Sequence, residues 1–458
     1  MTQSWLSPPA PIVPSSLLPP QPGPPRTKVL HVITRFEAGA GGNTLLSAMG
    51  MDPERYDVWI AGCDGGPLWD QAERAGIHTV RLSRLRHEIS PVNDAAVLLE
   101  LVRLVRRERF TIVHAHSAKG GFLGRLAAWL CRVPVILYTL HGRDPWWPGG
   151  PAASAGHMAG LMSPTRKRSF LALERSLRSV TDGFIAVAPQ VARDAIDGRI
   201  ARAGSVSVAP SAIDIDSIPM DPDPTVRSEF EIPLGAPVVG MVGRLDEQKA
   251  PLDFVRMAAI VQSRRPDVRF MVVGAGELED RVREEARRSG LNALVTGFRS
   301  DAPRIASAFD VFVVSSLYEG VGRSVTEALA SARPVVATAV DGIVDLIRPG
   351  GNGLLARAGD PEALAACVLW LLDHPDDARR MGEQGRAYVR SLFDPAAMCA
   401  TLDRIYSRFL GSEPMSRPHD LEIPGPSGAG SNPLPIETGS GSSSDAPNRI
   451  GASELAHG

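Results

Sequence analysis

The sequence predicts an α/β protein made of two doubly wound parallel-sheet domains. Three observations carry that expectation. Short β-rich runs alternate with longer helical patterns from about Val29, and the alternation restarts after about Asp214. The chain has 458 residues, more than one hydrophobic core usually supports. Its glycine-, histidine- and carboxylate-bearing motifs directly follow β-runs, where ligands sit in such sheets.

The first series of strands is expected at Val29–Thr34, Tyr56–Ala61, His78–Leu82, Thr111–His114, Val135–Leu140, Phe184–Val187 and Val206–Val208. Its clearest helical patterns are Ala95–Arg109 and Gly121–Cys131. The second series comprises Val238–Val242, Arg269–Val273, Ala293–Thr296, Val311–Val314, Pro334–Ala337 and Gly353–Leu355. Helices are expected between them at Leu252–Arg264, Glu279–Ser289, Ser324–Ser331 and Pro361–Leu372. This divides the chain into a first domain over 26–210 and a second over 211–395, followed by a helical pattern within 396–411. Residues 1–25 are proline-rich, and 412–458 are rich in glycine, serine and proline. Both read as disordered segments.

Composition narrows the class. A hydrophobic share of 44% suits globular domains. The four cysteines, Cys63, Cys131, Cys367 and Cys399, are far apart and lack metal-ligand spacing, which suits reduced thiols in a cytosolic protein. No apolar run is long enough for a membrane span, and the N-terminus lacks signal-peptide character, so a cytoplasmic location is expected. Residues 26–210 hold 24 basic and 16 acidic side chains, against 25 and 35 elsewhere. The positive half suits a phosphate-bearing or membrane-surface partner; nothing resembles a nucleic-acid module.

The strongest motif is SSLYEGVGRSVTEALA, just after Val311–Val314. Glycines before a helix expose backbone N–H groups and the positive end of the dipole to an anion. Glu319 and Glu327 can accept hydrogen bonds from vicinal hydroxyls such as those of a sugar or ribose. Ser324-x-x-Glu327 also spells a capping box, in which Glu327 only satisfies the helix start. In VVGMVGRLDEQK, Arg244 and Lys249 follow a buried strand as a fork and a point charge. Gly39–Gly42 forms a glycine-rich turn between a strand and a helix. It lacks the spacing and the downstream acid of a dinucleotide site. His141 follows the apolar run Val135–Leu140. His114 and His116 form an H-x-H pair on one face of a strand, with no further metal ligand evident nearby. Lys119 is placed at the next helix start as a phosphate contact.

Glu319 and Glu327, separated by seven residues, match the E-x7-E element of retaining glycosyltransferases of the GT-B architecture, and the setting resembles glycosyltransferase family four. The similarity extends over TAVDGIVDLIRPGGNGLLARAGDPEALA and covers about Lys28 to Leu410. It implies two Rossmann-like domains flanking a cleft, the second holding a nucleoside-diphosphate sugar of UDP or GDP type. It also implies a last helix that crosses back onto the first domain. By this resemblance Glu319 contacts the sugar, Glu327 the ribose, and the backbone of Gly320, Val321, Gly322, Arg323 and Ser324 the sugar and phosphate. Arg244 and Lys249 would stabilise the departing diphosphate, His141 and the loop with Gly41 and Gly42 would line the donor, and Gly297 and Phe298 would border the base.

The sequence departs from the usual pattern at Val321 and Arg323, which bears on sugar identity. Asp214-Ile215-Asp216 reads as structural, so no metal and no cofactor is expected. The implied reaction is retaining hexosyl transfer in surface polysaccharide or glycolipid assembly. A nucleotide-sugar epimerase and a non-catalytic nucleotide-sugar-binding protein are the alternatives. A lipid-linked saccharide acceptor and peripheral contact with the inner face of the membrane are further expectations. They rest on Arg81, Arg84, Arg86, Arg166, Lys167 and Arg168, with Trp146, Trp147, Met158, Leu161 and Met162 nearby. The tryptophans suit either a lipid–water interface or packing in the cleft.

Overall fold

The structure, a computed structural model, describes residues 26–37, 39–66, 68–86, 88–142, 147 and 164–411. The expectations for residues 1–25, Trp146, Met158, Leu161, Met162 and 412–458 lie outside these residues.

Two parallel sheets organise the chain. The first contains β1 (Thr27–Ile33), β2 (Tyr56–Gly62), β3 (His78–Arg81), β4 (Ile112–His116), β5 (Val135–Leu140), β6 (Gly183–Ala186) and β7 (Val206–Val208). Its order is β3-β2-β1-β4-β5-β6-β7. The second contains β8 (Val238–Val242), β9 (Arg269–Val273), β10 (Ala293–Gly297), β11 (Val311–Val314), β12 (Val335–Thr338) and β13 (Gly353–Ala356), in the order β10-β9-β8-β11-β12-β13. Helices cover both faces, so inner strands such as β5 and β11 are buried throughout and read as continuous apolar runs. Strand order reverses between β1 and β4 and again between β8 and β11, which makes these the two crevices where ligands gather.

Helix boundaries explain two departures from expectation. Pro375–Leu392 forms an 18-residue helix that the sequence reading did not assign, because Gly382 and Gly385 look like breakers. Here they allow close packing: a Cβ on Gly382 would collide with the Ala332 carbonyl, and one on Gly385 with Leu329. The glycine-rich N-terminal turn is shorter than expected. The helix starts at Ala40 after Gly39, so Gly41 and Gly42 lie buried in its first turn.

The last helix, Pro395–Phe409, is capped by Asp394, whose side chain accepts from the Ala397 N–H. It returns to the first sheet's domain. Asp403 accepts from Arg55 at 2.6 Å and from the Tyr56 hydroxyl at 2.7 Å, while Cys399 sits against Gly50. The two chain passages between the domains touch where the Ile213 N–H donates to the Phe393 carbonyl at 3.0 Å.

Candidate active site

The carboxyl ends of the two sheets meet at backbone level. Gly142, after β5, packs against Gly320, after β11, and a Cβ on Gly320 would strike the His141 carbonyl. Only glycine permits this approach. A polar bond reinforces the junction, the Gln190 N–H donating to Asp345 at 2.7 Å.

At this junction the second domain gathers its charged groups. Lys249 bends back over Gly243 and pairs directly with Glu319. Both side chains are largely buried, and Glu319 is 9% exposed. Ser316 contacts the same carboxylate at 3.4 Å, and the Glu319 N–H donates to Asp341 at 2.8 Å. Gln248 donates to the Tyr318 carbonyl at 3.1 Å, fixing the Lys249 loop to the Glu319 loop. Arg244 stands at the rim with its side chain 59% exposed, 3.0 Å from both Asp246 and Gln248. Sequence reasoning thus missed Asp246 and Gln248, which hold Arg244 within the same loop, and Asp341, which fixes Glu319 from a loop 22 residues on.

Gly322, with φ 73°, is the N-cap of the helix Arg323–Ala330. That start places Glu327 in the second turn, so the capping-box role raised by Ser324-x-x-Glu327 does not form. The helix has no side-chain cap, and Glu327 instead accepts from Arg323 at 2.7 Å. The Arg323 guanidinium lies against Gly42 of the first domain, so this unusual residue spans the junction. On the far side of the second sheet's crevice, Gly297 accepts from the Gly274 N–H at 2.9 Å, and Phe298 is 79% exposed.

In the first domain the H-x-H strand has a partner that the sequence reading did not find. His31 in β1, amid apolar residues, lies beside His114 and His116, and the three ligand-capable nitrogens fall within 4.8 Å of one another. A third ligand-capable histidine is therefore present, against the sequence expectation, and it comes from a strand 85 residues away from His116. The only signal was its register opposite His114 in paired strands. His116 bonds His31 at 2.9 Å and His141 at 3.0 Å, whereas His114 bonds Tyr406 at 2.7 Å and Thr139 at 2.6 Å. Burial holds all four imidazoles neutral: His31 is lowered to about 3, His141 to about 4, and His114 and His116 are also well below the ordinary value.

The structure bears on three further expectations. Lys119 is engaged by Asp94 at 2.8 Å and by the Glu88 carbonyl, so its charge is already satisfied within the first domain. Trp147 is 4% exposed and packs in the core with Tyr138 and Leu140, which removes it from any lipid interface. Arg81 is paired with Glu73 at 2.9 Å, which weakens the basic patch. Asp216 of the D-x-D segment pairs with Arg390 at 2.7 Å, a structural use of that carboxylate. No helix among the described residues is long and apolar enough to cross a membrane.

Two doubly wound domains joined at their carboxyl ends, with paired charges and glycines at the junction, have the GT-B architecture. Residues 236–374 match the family model described as glycosyl transferases group 1, and residues 39–212 match that of the glycosyl transferase 4-like domain. The chain belongs to glycosyltransferase family four. It is 32% identical over 348 residues to the alpha-maltose-1-phosphate synthase of Mycolicibacterium smegmatis, covering 71% of this chain and 83% of that one. It is 27% identical over 332 residues to the Escherichia coli UDP-Gal:alpha-D-GlcNAc-diphosphoundecaprenol alpha-1,3-galactosyltransferase, covering 70% and 81%. Among solved structures, Anabaena HepE in complex with UDP and glucose superposes with a TM-score of 0.70 at 20% identity, covering 84% of this chain and all of that one.

Proposed function

We propose that the protein transfers a hexosyl group from a nucleoside-diphosphate sugar to an acceptor hydroxyl, with retention of configuration. The observation that carries this reading is the buried Lys249–Glu319 pair beside Gly320–Gly322 at the junction with His141. In this reading Arg244 and Lys249 stabilise the charge that grows on the departing diphosphate, where fixed cations act selectively on the transition state. Glu319 accepts from sugar hydroxyls and Glu327 from ribose hydroxyls. The amides of Gly320, Val321, Gly322, Arg323 and Ser324 face the sugar and phosphate, while Gly297 and Phe298 border the base. Gly41, Gly42 and His141 close the site from the first domain.

The C1–oxygen bond to the diphosphate breaks while the acceptor oxygen bonds C1 from the same face, and the acceptor's proton passes to the departing phosphate. In this reading protein cations supply the charge stabilisation, so EDTA is expected to leave turnover unchanged. The acceptor we propose is a lipid-linked saccharide met at the inner face of the membrane, in line with the diphosphoundecaprenol named for the Escherichia coli relative.

The test is a thermal-shift screen of UDP- and GDP-sugars, since differential binding stabilises the folded state in proportion to RT ln(1 + [L]/Kd). One nucleotide sugar is expected to raise Tm. Absence of any shift up to millimolar concentration sinks the reading. Conversion of the sugar without acceptor would identify an epimerase, and binding without either reaction a non-catalytic protein.

Glu327→Gln is expected to weaken the stabilising donor about tenfold or more, the scale for removing a hydrogen bond to a charged group. Its thermal stability without donor should stay close to wild type, because the lost Arg323 pair is a partly exposed i,i+4 contact. Equal donor affinity in the two proteins, measured by calorimetry, would remove Glu327 from the site.

A further inference from the structure

The three bonded histidines form a chain with a defined end. His141 Nε2 meets His116 Nδ1, His116 Nε2 meets His31 Nδ1, and His31 Nε2 is fully buried with no partner among the described residues. Each link in such a chain needs one N–H and one lone pair, so a single choice at His31 fixes the tautomer of every ring after it.

If His31 carried its proton on Nε2, a fully buried N–H would stand unpaired. If the proton sits on Nδ1, the unpaired atom is a lone pair. Unpaired buried donors are rarer in proteins than under-satisfied acceptors. The second arrangement sends every donor in one direction: His31 Nδ1–H to His116 Nε2, then His116 Nδ1–H to His141 Nε2. His141 is left with its proton on Nδ1.

We propose that His31 and His116 are positioning residues that lock His141 as the Nδ1–H tautomer, so that the ring offers a hydrogen-bond donor to the oxygen-rich sugar in the cleft. This rests on the placement of the donor sugar proposed above. An imidazole free to exchange tautomers would offer a donor only part of the time. The locked chain removes that choice without introducing a charge.

A metal ion held by His31, His114 and His116 is the competing reading of the same cluster. It is disfavoured because both His114 nitrogens are engaged, by Tyr406 and Thr139. Among the described residues no carboxylate enters the hydrogen bonds of these rings, and a buried divalent charge without an anion is costly.

The experiment uses the full chain labelled with ¹⁵N-histidine. Two-bond ¹⁵N–¹H spectra report which nitrogen of each neutral ring carries the proton. His31, His116 and His141 are expected as Nδ1–H tautomers, the form that free side chains disfavour. Kinetics supply the second readout. Asn places its amide where Nδ1 stood and keeps the donor, whereas Phe does not. His31→Phe is expected to lower kcat/KM about three- to tenfold, the effect of losing one neutral hydrogen bond, while His31→Asn stays within about twofold.

Nε2–H tautomers at His116 and His141 in the wild-type protein would overturn the proposal. So would equal kinetics for His31→Phe and wild type, or a stoichiometric zinc or nickel ion retained by the purified chain. Nδ1–H tautomers in a protein that binds no nucleotide sugar would support the locked chain and overturn the donor reading alone.

Discussion

Turnover of the Lys249→Ala variant is expected to fall by about 10²–10³-fold, the scale for losing one preorganised charge stabiliser. The same substitution leaves Glu319 buried beside Ser316 without its counter-charge. Breaking a buried pair in this way costs about 3–5 kcal/mol, so Tm should fall as well. Two further variants separate the effects. Lys249→Ala/Glu319→Gln removes the orphaned charge and is expected to recover much of the stability but none of the turnover. Arg244→Ala touches a side chain that is mostly exposed, so stability should be unchanged while turnover falls by a similar factor. Turnover within about threefold of wild type in both single variants would remove the two cations from the reaction.

The second large effect is on acid stability. His31, His114 and His116 are 0–1% exposed and held neutral in the fold, with His31 lowered to about 3. Once unfolded, each regains an ordinary value near 6.5 and takes up a proton below it. The unfolded state therefore binds more protons between about pH 6.5 and 4, and stability falls as the pH is lowered through that window. Each ring costs about 2 kcal/mol by pH 5, and three cost about 6 kcal/mol, comparable with the net stability of a typical domain. Thermal scans between pH 8 and 4.5 should show a steep fall in Tm beginning near pH 6.5, with a shallower fall in His31→Asn. A flat Tm between pH 7 and 5 would show that the rings are protonated or hydrated in the native state.

The strands of both domains were legible in the sequence to within two residues. Val238–Val242, Arg269–Val273 and Val311–Val314 coincide with the observed strands, because strands covered on both faces leave apolar runs without alternation. Glu319, Arg244 and Lys249 were visible because each follows such a strand by a few residues. What local pattern could not supply was contact between distant segments. The Arg323–Gly42 approach links positions on two domains, and Glu319–Asp341 joins two different loops. His31 was hidden for a related reason: one histidine inside VLHVI looks like an ordinary interruption until β1 and β4 are aligned. Trp147 illustrates a choice that local pattern leaves open: a tryptophan pair between prolines and glycines suits an interface or internal packing, and burial of Trp147 in the core selects packing for that residue.

The doubled passage between the domains has a mechanical meaning. A chain that crosses once between two bodies lets them swivel freely about the linker. Here the outgoing segment at Ile213 and the returning segment at Phe393 are tied by a backbone hydrogen bond, and the returning helix is anchored through Arg55, Tyr56 and Asp403. Two tied passages would act like the leaf of a door, bending more readily about one line than twisting about the other two. Opening would then part Gly142 from Gly320 and Arg323 from Gly42 in a single arc, and reclosing would return the same atoms to the same places. The sugar would meet a site assembled from two domains whose register is preserved through every cycle.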